Sequence, residues 1–143
     1  MPAPVQPKKL TSLLLIGAYA MLVLLLGFVG TTMPSRSAQG GGIPGEALIA
    51  IAAVSAVACV AVCLTRLRMR GQVGEVPVPP PPTQFQTNML IALAFAELPT
   101  LLGFVGHLQG GASMLPFAAV SLALILGAIL PLVLAYWSRV ESV

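Results

Sequence analysis

Charge is what this chain has least of. Only 8% of its 143 residues are Asp, Glu, Lys or Arg, against about 25% in an ordinary soluble domain. Aspartate is missing altogether, histidine occurs once and cysteine twice. These shortages exclude most side-chain catalysis. There is no Ser/His/Asp set, no paired carboxylate, no Cys/His metal spacing and no phosphate-cradling loop. The expectation is no catalytic residue, no bound metal and no enzyme acting alone. A net charge of +3 is too small to suggest a nucleic-acid partner. What remains is apolar: 57% hydrophobic residues and a mean hydropathy of +0.97. That composition belongs to an integral membrane protein whose length is spent on spans.

Four apolar stretches are long enough to cross a hydrocarbon core of about 30 Å, which takes roughly 20 helical residues. They run over Thr11–Gly30, Pro44–Thr65, Thr87–Gly106 and Leu115–Trp137. None alternates as a barrel strand would, and helices satisfy their own backbone groups in lipid. The fold expected is all-α, with four transmembrane helices arranged as two helical hairpins. The first hairpin occupies residues 1–65 and the second 87–143, joined by a proline-rich loop over 66–86. The first apolar run is longer than the core of a signal peptide and is expected to be retained. Pro79–Pro82 favours a stiff polyproline II spacer.

Six of the seven basic residues fall on one side of these spans: Lys8, Lys9, Arg66, Arg68, Arg70 and Arg139. Lys and Arg concentrate in cytoplasmic loops. Both termini and the middle loop are therefore expected in the cytoplasm, with the chain in a bacterial-type inner membrane. Tyr136 and Trp137 close the fourth span and read as interfacial anchors.

The two halves resemble each other. Leu13–Gly30 aligns without gaps on Met89–Gly106, and both segments end in Gly-Phe-Val-Gly. Each is followed by a glycine cluster, a proline (Pro44, Pro116) and an Ala-rich helix. The pattern predicts two related hairpins of the same membrane orientation. One position breaks the likeness: Met21 in the first half stands where the second has Glu97.

Glu97 is the one acidic or basic side chain near the middle of an apolar stretch. Inserting such a group at the bilayer centre costs roughly 2.5 to 3.5 kcal/mol. A neutral carboxyl, hydrogen-bonded to Thr100 or to the Phe95 carbonyl that Pro99 leaves without an N–H partner, is the economical form.

The order Glu97, Thr100, Gly103, Phe104, Val105, with Ala96 before the acid, resembles the proteolipid subunit (subunit c) of rotary ATP synthases. That family shows a buried acid, Thr or Ser three positions on, Gly six positions on, then two apolar residues. The chain is similar to a divergent, duplicated form with two hairpins and four helices. The resemblance implies a reversible proton carrier at Glu97, with Thr100 in the same frame. It also implies a cationic partner on another polypeptide, because no Lys or Arg here lies at mid-membrane depth. Two roles follow. Glu97 is a protonated packing or attachment group in a small subunit of a larger energy-transducing membrane complex, or it is the proton carrier itself. The partners expected are the lipid bilayer and other transmembrane subunits, in a hetero-complex or a homo-oligomeric ring.

Small residues recur at helical spacing. Ala92, Ala96 and Gly103 form a row with Thr100 on the third span, and Ala119, Ala123 and Gly127 form one on the fourth. Such rows let helix backbones approach closely. Cys59 and Cys63, on adjacent turns, read as small packing residues. His107, at the outer end of the third span, offers an imidazole for a pigment, haem or metal, or is simply solvated. No resident cofactor is expected beyond lipid or pigment contacts made through a larger complex.

Overall fold

The computed structural model describes residues 7–33, 44–67, 80–109 and 114–142. These form four helices and, among the described residues, no strand. α1 is Pro7–Thr32. α2 is Gly45–Val62, continued by a wide π turn over Cys63–Leu67. α3 is Pro82–Leu108. α4 comprises Leu115–Leu124, a π turn over Ile125–Ile129, and Leu130–Ser142. All four are long and apolar enough to cross a membrane. The expected all-α, four-span membrane fold is what the chain adopts.

The helices outgrow the apolar runs. α3 starts at Pro82 rather than Thr87, because proline is pre-set for the first helical turn, where its missing N–H has no intrahelical acceptor. Helix therefore covers part of the segment expected as the loop 66–86. Residues 68–79 of that segment lie outside the described residues, as do Arg68, Arg70 and both glycine clusters.

α3 packs against all three other helices. Half of its span (50%) is buried, against 17% for α1. The outer surface is apolar: Leu14, Leu25 and Phe28 of α1, Ile49, Val54 and Val57 of α2, and Leu126 and Leu134 of α4 are all exposed. A patch of that extent is unsuited to water and suited to lipid.

The bundle is fastened at both ends. At the end bearing Lys8, Lys9 and Arg139, here called the basic end, Lys9 pairs with Glu141 at 2.6 Å. Lys8 donates to the Thr83 hydroxyl, and the Gln86 amide donates to the Lys8 carbonyl and the Ser12 hydroxyl. Phe85 stacks on Tyr136 at 3.7 Å and 4°, and Trp137 meets Tyr136 edge-on. The Tyr136 hydroxyl donates to the Pro80 carbonyl at 2.6 Å. Tyr136 and Trp137 are fully buried and are not the interfacial anchors expected. Phe85, brought in by the extra first turns of α3, covers them instead. At the opposite end His107 Nε2 donates to the Met33 carbonyl at 3.0 Å.

Close approach in the outer half depends on glycine. A Cβ added at Gly103 would lie 2.5 Å from Phe117 Cβ and 2.7 Å from its Cγ. One at Gly30 would collide with the Met114 sulfur, a flexible chain end that can yield. Gly103→Ala should therefore destabilise the bundle by about 1–3 kcal/mol, because α3 and α4 must separate. Thermal unfolding in detergent checks this.

Candidate functional site

Two interhelical hydrogen bonds set the register around Glu97. The Cys59 thiol of α2 donates to the Ala92 carbonyl of α3 at 3.4 Å. These helices run antiparallel, so Ser55, one turn earlier on α2, comes level with Ala96 and Glu97. On the other side the Thr100 N–H of α3 donates to the Ser121 hydroxyl of α4 at 3.2 Å. Ser121 is thus placed one turn beyond Glu97, towards the His107 end.

Five polar side chains are buried among the described residues: Ser12, Ser55, Glu97, Thr100 and Ser121. Ser12 belongs to the basic end. The other four gather at mid-span from three helices, so the centre of the bundle is a polar layer between apolar ones. Pro99 lies in it, buried within the continuous α3 helix. It has no N–H for the Phe95 carbonyl, which adds one more acceptor at this depth.

The layer is incompletely bonded. Among the described residues, both carboxyl oxygens of Glu97 and the Thr100 hydroxyl are buried with no hydrogen-bond partner. The expected bonds from Glu97 to Thr100 and to the Phe95 carbonyl are not formed. Helical side chains lean towards the helix N-terminus, so the Glu97 carboxyl is carried away from Thr100, although the two share a face. The Ser55 hydroxyl donates within its own helix, to the Ile51 carbonyl at 2.8 Å. The Trp137 indole N–H, at the basic end, is the other such group among the described residues.

The remaining residues singled out in the sequence divide into two groups. Ala92, Ala96 and Gly103 are buried on α3, lining its approach to α2 and α4. Ala119, Ala123 and Gly127 are exposed, and Pro131 and Ala135 continue the same outward row. The inward face of α4 is Ala118, Ser121, Ile125, Ile129 and Val133. Spacing alone identified both small-residue rows but not which one meets a helix of the same chain. Cys59 and Cys63 are free, buried thiols. No group of three His, Cys, Asp or Glu side chains gathers as a metal site among the described residues. His107 has its Nε2 engaged on Met33, which leaves Nδ1 as its only ring nitrogen for any other contact.

Sequence reasoning missed Ser55 and Ser121. Their signal was present: each is a hydroxyl residue amid an Ala/Val/Leu run, placed by antiparallel pairing at the depth of the acid.

The aligned repeat gives a direct contrast. Ile16 and Ala92, Val23 and Pro99, and Gly30 and Gly106 are buried in both halves. At the position of the acid the halves part: Met21 is 65% exposed and Glu97 4%. α1 lies at the edge of the bundle and α3 at its centre, so equivalent positions meet lipid in one copy and protein in the other.

No family model, curated protein or solved structure matches the chain. The proteolipid-like frame therefore rests on its own residues.

An unpartnered buried polar group costs about 1–3 kcal/mol relative to one that is bonded, and an apolar replacement of similar shape removes that cost. Glu97→Leu should leave the fold equally stable or stabilise it by up to about 2 kcal/mol. Denaturant unfolding in detergent checks the sign. A marked loss of stability would show that the carboxyl holds the bundle together.

Proposed function

We propose that this chain is a small multi-pass subunit of a larger energy-transducing complex in a bacterial-type inner membrane, and that Glu97 is its protonatable site. The observation that carries the proposal is the buried Glu97 carboxyl with neither oxygen bonded to protein. A group retained only for packing would return its burial cost as hydrogen bonds to the surrounding helices, and this one makes none to the described residues. The Glu-x-x-Thr-x-x-Gly-Phe-Val frame supports energy transduction as the setting. In this reading the chain is not an enzyme by itself. It binds and releases a proton at mid-membrane depth, and any cationic counterpart belongs to another polypeptide.

Attachment is a separate task, and Glu97 is too enclosed to perform it. The outward row Ala119, Ala123 and Gly127 offers a face on which a transmembrane helix of another subunit can lie closely. The basic end is assigned to the cytoplasm by its Lys and Arg residues.

Dicyclohexylcarbodiimide, which reacts with protonated carboxyls in apolar surroundings, should label Glu97 in native membranes, and labelling should vanish in Glu97→Gln. The same variant should leave assembly intact while abolishing proton flux through the parent complex. Unchanged flux would return Glu97 to a structural role. Native mass spectrometry should give a hetero-complex, whereas an integral multiple of this chain alone would indicate a ring.

A further inference from the structure

We infer that, within this chain, Glu97 exchanges its proton with one side of the membrane only, through the Thr100 and Ser121 hydroxyls towards the His107 end, and that transfer to the other side runs through the partner polypeptide. The inference rests on the reading of Glu97 as protonatable and adds a direction to it.

The two halves of the bundle differ in what lies between Glu97 and water. Towards the basic end the next bonded polar side chain on α3 is Thr87, whose hydroxyl donates to the Thr83 carbonyl. It is 10 residues away, or roughly 15 Å at the helical rise. That interval is filled by Met89, Leu93, Ile125 and Ile129, all with no exposed surface, and is closed below by the Phe85–Tyr136 stack. The side-chain hydrogen bond within this interval, from the Cys59 thiol to the Ala92 carbonyl, already uses the thiol's only proton, so the close-packed interval offers no free hydrogen-bonding station.

Towards the other end the polar groups lie nearer, although none is bonded to the carboxyl. The Thr100 hydroxyl is one turn from Glu97, fully buried and unpartnered. The Ser121 hydroxyl accepts from the Thr100 N–H and keeps its own proton to donate. From Thr100 to the half-buried His107 is seven residues, roughly 10 Å. Over that stretch α3 contributes glycine at 103 and 106, with Phe117 the side chain set against Gly103. Polar groups buried at this depth are ordinarily linked by internal water, which needs two to four such partners. Glu97, Thr100, Ser121 and the freed Phe95 carbonyl supply them.

The other titratable groups do not blur the direction. On the helices around α3 they are Tyr19 of α1, Cys59 and Cys63 of α2, and Tyr136 of α4. By the register above, all four lie on the basic-end side of Glu97. Lys8, Lys9, Arg66, Arg139 and Glu141 are at the basic end itself. At the other end stand His107 and the exposed Glu46. None of these charged groups sits at the depth of Glu97.

The test uses the full-length protein in sealed vesicles, with orientation read from access of a membrane-impermeant amine reagent to Lys8 and Lys9. The pH of one compartment is stepped, and the infrared C=O band of protonated Glu97, identified by its loss in Glu97→Gln, is followed. A step on the His107 side should change the band, and a step on the basic side should not. Thr100→Val, with unchanged thermal unfolding, should slow the response about tenfold, the rate equivalent of one lost hydrogen bond. A response to the basic side, to both sides equally, or undiminished in Thr100→Val would overturn the one-sided route. A chain with no band lost in Glu97→Gln under either condition would instead remove the protonatable-site reading beneath it.

Discussion

A carboxyl group at mid-membrane depth has to be kept from lipid, and that requirement orders the whole bundle around α3. The helix that carries Glu97 packs against the other three and is the most buried of the four spans. Its inward face is built of small residues, Ala92, Ala96 and Gly103, which let neighbours come close enough to enclose the acid. The enclosing helices contribute a hydroxyl residue each from α2 and α4 at nearly the same depth, Ser55 and Ser121. In a medium without water this is the cheapest surrounding for a polar group short of bonding it completely. Full bonding is absent, and the functional reading depends on that deficit.

The two ends solve a different problem. Van der Waals packing in lipid lacks the hydrophobic drive that gathers helices in water. Polar fastenings at the membrane margins supply direction instead. Lys9 with Glu141, Gln86 with the α1 backbone, and Tyr136 with Pro80 lock the basic end, and His107 with Met33 holds the other. The exposed ion pair contributes little by itself. Its value is positional, because it joins the first and last helices beside the Phe85–Tyr136–Trp137 cluster.

The spans were legible because lipid demands long apolar helices, and nothing else in a chain of this composition can satisfy that demand. The Ala92–Ala96–Thr100–Gly103 row was legible for a similar reason, since helical spacing places these residues on one face. Three features were not. Helix before Thr87 lay hidden in Thr83 and Gln86, polar residues that bond to α1 rather than form a loop. The burial of Tyr136 and Trp137 followed from Phe85, whose contact is decided by tertiary packing. The Ala119–Ala123–Gly127 row has the same spacing as its counterpart on α3 but faces outward, because Ile125 and Ile129, presented by the π turn, take the inward side. The polar layer at Glu97 was half legible: its members on α3 could be named from spacing, but the hydroxyls opposite required the register between helices.

α1 is tied at its two ends, while its middle presents Leu14, Met21, Leu22 and Leu25 outward. It has no side chain at mid-span that lipid would reject, so it can wait alone in the bilayer. α3 cannot, since its carboxyl needs neighbours on arrival. Because a chain is made from its N-terminus, α1 and α2 reach the membrane first and stand ready when α3 is delivered. The order of the helices along the chain thus lets the segment hardest to insert arrive after two of its three neighbours.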